Sequence, residues 1–177
     1  MHRNRLEKEL VEHCAPTLAG IKSAGLFSYF YTDETLAGEE LQAVNATLNE
    51  RGVYVEALVW REASVLIYAY RRSHLEKELR QTGVSELLAG YGYEDDRVDG
   101  CLNHLKERVA YDSCFPHEIG VFLGYPLEDV KGFIEHGGRD CKSCGLWKVY
   151  CDTAYAQHLF DKMGKCSRVY RQVFLQG

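Results

Sequence analysis

The sequence predicts a mixed α/β (α+β) fold: a sheet of about four strands flanked by helices, with a helix-turn-helix-like hairpin before the last strand. Three observations lead there. Residues 53–60 and 64–70 are β-branched and aromatic runs separated only by Arg61, Glu62 and Ala63, the pattern of an antiparallel hairpin. Segments with apolar residues at helical spacing surround these runs. Residues 116–135 carry the apolar, small, apolar, glycine, apolar order of two short helices meeting at a turn. With 177 residues the chain is expected to form one domain, 1–177, large enough to bury its own core.

The elements follow in order. Asn4 is placed to cap a first helix whose Leu6, Leu10 and Cys14 share a face, and Pro16 interrupts it. A second helical piece is expected at 17–23, ended by Gly25, and a strand at 26–31. Residues 32–38 read as a loop and 39–51 as a helix with Leu41, Val44 and Leu48 inward. The twenty or so residues between the first strand and Val53 suffice for a crossover connection. Both faces of 53–60 are largely apolar, which predicts a central strand. Ser73 is expected to cap a helix at 74–81. Another spans 84–88, and Asp95 or Asp96 caps a third at 97–109. A last strand is predicted at 146–151. Asp152 then caps a closing helix with Ala156, Leu159, Phe160 and Met163 inward, and 165–174 is helical too.

In the hairpin, Gly120 lets the second helix approach, Gly124 turns the chain and Pro126 suits the first position of the second helix. That second helix would offer Glu128, Asp129, Lys131 and Glu135 to a phosphate-lined groove, so a structural hairpin is favoured over a reader of bases. The whole chain agrees: 21 basic against 26 acidic residues give a net charge of −5, the wrong sign for a general polyanion binder. Apolar stretches are too short to span a bilayer, so no membrane is expected. Residues 1–10 lack the apolar core of a signal peptide. With an odd seven cysteines, the expectation is a reducing, cytoplasmic setting.

Two groups of residues carry candidate chemistry. Cys114, His117, Cys141 and Cys144 form C-x2-H-x23-C-x2-C, a formally complete tetrahedral metal set whose halves flank the hairpin. Buried cysteines packing as small hydrophobes are the plainer reading. The second group centres on His117, presented in one direction by Pro116 at a helix start. Glu118 follows as its acid–base partner, or simply as a carboxylate favoured at the helix's positive end. Trp147 and Tyr150 would supply an aromatic wall and Lys148 a positive charge, together suiting a small flat or anionic ligand. The expected geometry is a partly exposed His117 in a concave pocket, with Trp147 or Tyr150 in contact. His13 and Cys14 are further ligand-binding candidates, expected to line one pocket with His117 and Trp147, although neighbours on a helix point about 100° apart, so adjacency does not make them a nucleophile pair.

Residues 13–22 (HCAPTLAGIK), 115–130 (FPHEIGVFLGYPLEDV) and 145–150 (GLWKVY) resemble, over nearly the whole chain, a family known only as a domain of unknown function, widespread in anaerobic Gram-positive bacteria. Cys166 falls near a cysteine of that family's last helix. The resemblance implies a cytosolic, stand-alone protein and a setting of flavodoxin and iron handling. Three functions follow, in order of preference. The first is a binding or accessory protein that holds a metal ion, a haem-like cofactor or a flavodoxin-like redox partner through Cys and His. The second is a small-molecule enzyme with His117 and Glu118 as its acid–base pair and Lys22 or Lys148 neutralising an anion. DNA binding through the hairpin comes last.

Overall fold

The computed structural model describes residues 4–176, the side chain of Leu175 excepted. Helix α1 (Arg5–Leu18) starts where the Asn4 side chain accepts from the Leu6 amide, and Leu6, Leu10 and Cys14 are buried as their spacing predicts. Pro16 kinks this helix rather than ending it. Proline has no amide for the Glu12 carbonyl, so the backbone at Cys14 leaves helical values (φ −125°, ψ 16°) and the helix then resumes. The Glu12 carbonyl accepts instead from Arg171, at 3.5 Å. Gly25, expected to close a helix, lies in strand β1 (Ala24–Phe30), facing the Cys14 side chain.

Helix α2 (Glu34–Leu48) begins earlier than its apolar spacing indicates, because Asp33 accepts from the Leu36 amide and caps it there. Strands β2 (Val53–Arg61) and β3 (Ser64–Arg71) form the predicted hairpin, with a bulge between Ala57 and Val59. β1 pairs antiparallel with the other edge of β3, so the order is β1-β3-β2. The central strand is therefore β3, not β2. β2 looks central in sequence because helices cover both of its faces: Val55 packs with α1 and α2, Leu58 with the opposite core. Along β3 the alternation is complete. Val65, Ile67 and Ala69 face α1 and α2, while Leu66, Tyr68 and Tyr70 face the second, larger helical layer. β1 and β2 run parallel on either side of β3, and α2 is the crossover between them.

That second layer holds α3 (Arg72–Leu79), α4 (Val84–Ala89), α5 (Val98–Tyr111), the single turn α6 (Ile119–Phe122) and α7 (Leu127–His136). α3 runs straight on from β3 with Arg71 at its cap position, so Ser73 caps nothing. Asp95 accepts from the Arg97 amide just before α5, at 2.8 Å. Pro126 stands at the cap of α7 rather than inside it. Between α6 and α7, a Cβ on Gly120 would lie 2.8 Å from Val130 Cγ2. Gly120→Leu is accordingly expected to cost about 1–3 kcal/mol through overpacking. An unchanged urea midpoint would refute that contact.

The predicted last strand does not join the sheet. β4 (Ser143–Cys144) and β5 (Lys148–Val149) pair only with each other. The next two backbone amides, of Tyr150 and Cys151, donate to the Asp129 carboxylate and so cannot enter a ladder. Helix α8 (Thr153–Gln176) closes the fold. Asp152 accepts from the Tyr155 amide at its start. Ala156 and Met163 are buried and Leu159 and Phe160 partly so, against Trp147 and Val149.

Candidate functional site

The turn of β4–β5 lies across α6 and α7, and between them is a cavity of about 370 Å³. Its position follows from α7. Asp129, Gly132 and Phe133 are one turn apart and share a face. At Gly132 a Cβ would stand 2.5 Å from the Tyr150 ring, so only glycine lets the hairpin come this close. Asp129 then latches it. Its buried carboxylate accepts from Trp147 Nε1 at 2.8 Å, Tyr150 N at 2.8 Å and Cys151 N at 3.0 Å.

The walls are largely rings. Tyr125 stacks on Trp147 with centroids 5.0 Å apart, and Phe160 braces Trp147 edge-on from behind at 4.5 Å. Opposite, His117 and Phe133 meet edge to face at 5.0 Å. Burial pushes the Tyr125 phenol above its ordinary range. Lys148 also lines the cavity, but its ammonium donates to the Gly138 carbonyl just beyond the end of α7.

His117 is thus exposed at a concave site whose lining includes Trp147, Lys148 and Cys144. Tyr150 is not in the lining. It packs on Gly132, stacks on His136 at 5.5 Å and donates to the Arg139 carbonyl. Glu118, the expected partner of His117, is wholly buried on the other side of its turn, accepting from Arg108 and from Tyr93. One residue's step around a helical turn separates an exposed imidazole from an interior carboxylate, so no acid–base pair is assembled.

The other candidates lie apart. His13 is exposed, paired with Glu9 at 3.3 Å and stacked on Phe27. Cys14 is sealed between α1 and β1, where burial pushes its thiol up to about 12, far from a nucleophile's range. Lys22 sits behind the cavity, its Nζ 5.1 Å from the centre of the Tyr125 ring, and no carboxylate among the described residues pairs with it. Cys114 is exposed in the loop before α6 and Cys141 is half-buried beside the hairpin. Among the described residues, no three His, Cys, Asp or Glu side chains come together to hold a metal ion, so the four-residue spacing of the sequence is not gathered in space.

Burial pulls the Lys22 ammonium down to about 8. The sign follows from linkage. Between about pH 8 and 10.5 the unfolded chain binds more protons at this group, so its burial penalty is full below pH 8 and is relieved as pH rises. Lys22→Met is expected to raise stability at pH 7 by ~1 kcal/mol after allowance for solvent screening, with the gain vanishing above about pH 10. Chemical denaturation at pH 7 and pH 10 measures it, and a gain independent of pH would contradict the burial argument.

In sequence, Asp129 counts among the charges the second helix would show to a groove, while Tyr125 and Phe133 have only a place in the hairpin's apolar pattern and Leu146 only the start of a strand. The available signal was the spacing of Asp129 to Phe133, which puts the acid on a lined face rather than an outer one. The exposed charges of α7 are Glu128, Lys131 and Glu135, with Lys131 3.4 Å from Glu128. Among the described residues no helix is long and apolar enough to cross a membrane. Residues 10–177 match the family model described as "Protein of unknown function (DUF3793)". Comparison with curated proteins found no match, and neither did comparison with solved structures.

Proposed function

We propose, from the premise that the chain belongs to the DUF3793 family of proteins of unknown function, that it is a binding protein for a small, flat, largely apolar molecule held between α7 and the β4–β5 turn. The observation that carries this reading is the ring-lined cavity of about 370 Å³, within the range of small-molecule sites. The stacked Tyr125–Trp147 pair lines one side of it, Phe133 closes the opposite side, and the exposed His117 supplies one polar contact that orients a ligand. Cofactor binding of this kind uses His117 and Cys144 as wall groups and needs no metal cluster. The enzyme reading has less support, because Glu118 is committed to Arg108 inside the core. Of the two ligand features expected, flatness is matched by the walls. A preference for anions is not, since the Lys148 ammonium is held by a carbonyl and Asp129 lies in the same lining.

The test uses Trp60→Phe, which leaves Trp147 as the single indole. Titration with a planar naphthalene dye is expected to quench Trp147 emission saturably. Phe133→Ala should weaken binding at least about fivefold, the scale of a lost aromatic contact. Emission that never saturates, or binding indifferent to Phe133→Ala, would remove the site.

A further inference from the structure

A second cavity, of about 260 Å³, adjoins the first. Residues 115–117 line both, standing as a ridge between them. The character of the second chamber is different. Its walls include Tyr91, Arg108, Asp112 and Ser113. Every nitrogen of the Arg108 guanidinium meets a carboxylate: Nη1 meets Asp112 at 2.7 Å, Nε and Nη2 donate to Glu118, and its carbon lies 5.0 Å from the Tyr91 ring centre. An anion here would meet an arginine whose charge is already more than matched by these two carboxylates. One cation against two carboxylates leaves this corner with a local charge of −1. Glu118 is buried, so the carboxylate that a ligand can reach is Asp112, whose side chain is 39% exposed. In the ring-lined chamber the charges of Lys148 and Asp129 cancel.

We infer that the ligand is bipartite: a flat ring in the first chamber carrying a short chain that crosses residues 115–117 and ends in a cationic amine against Asp112. The ligand class is an aromatic alkylamine. This rests on the cavity reading proposed above and adds the polarity and direction of the tail. His117, on the ridge, borders both halves of such a molecule.

Three probes sharing one ring separate the two ideas: indole, tryptamine and indole-3-acetate, titrated calorimetrically into the full chain. Tryptamine is expected to bind about fivefold tighter than indole, the scale of one partly exposed charge pair, and indole-3-acetate more weakly than indole. Asp112→Asn should bring tryptamine to within about twofold of indole and strengthen the carboxylate. Tryptamine no tighter than indole, or tighter but indifferent to Asp112→Asn, overturns the bipartite assignment while leaving ring binding intact. Failure of all three probes to bind overturns both.

Discussion

Asp129→Ala is expected to lower the unfolding free energy by about 3 kcal/mol and to abolish binding in the ring-lined cavity. The carboxylate serves three donors, and hydrogen bonds to a charged group contribute about 1.5–3 kcal/mol each, before relaxation reduces their sum. Alanine leaves Trp147 Nε1 buried without its acceptor, and frees the two amides that pin the chain after β5. β4–β5 has only two residue pairs and belongs to no larger sheet, so it depends on such side-chain anchoring. Urea denaturation gives the loss. The same titration of Trp147 emission, in a Trp60→Phe background, gives the binding. Asp129→Asn should fall between, since its amide oxygen accepts but carries no charge. A fully stable Asp129→Ala protein that still binds would show that the hairpin is held by packing of Trp147 and Val149 on α8 alone.

The parts of the fold that the sequence makes legible are those with a local cause. The β2–β3 hairpin follows from two β-branched runs three residues apart. The start of α8 follows from Asp152, and that of α1 from Asn4. The concave site with His117 and Trp147 was legible for a similar reason: Pro116 fixes the backbone before His117, and residues 145–150 return past the hairpin. What escaped is set by partners distant in sequence. Whether β2 or β3 is central depends on which edge receives β1, and an edge strand covered by helices on both faces reads like a central one. The direction of Glu118 depends on where α5 brings Arg108. Asp129 and Glu128 are adjacent acids in the first turn of α7, yet one is buried and the other exposed. Only the arrival of Trp147, eighteen residues later, decides which of them becomes the latch.

The Glu118–Arg108 pair predicts the largest loss of all. Arg108→Met is expected to destabilise the chain by about 4 kcal/mol, because it strands a carboxylate that has no exposure to water. Tyr93 would remain as its one side-chain donor, at 3.2 Å, and a single phenol does not replace a guanidinium. Asp112 loses its partner too, but it is exposed enough to be solvated, so its share is small. The stranded charge makes a sharper claim than the loss itself. Adding Glu118→Gln to Arg108→Met removes that charge while keeping an acceptor for Tyr93. The double variant is therefore expected to be more stable than Arg108→Met alone, by about 2 kcal/mol. If the pair mattered only through the guanidinium lying over Tyr91, the second substitution would add to the damage instead. Denaturation of the two single variants and the double variant decides between these outcomes, since one account requires a rescue and the other a further loss.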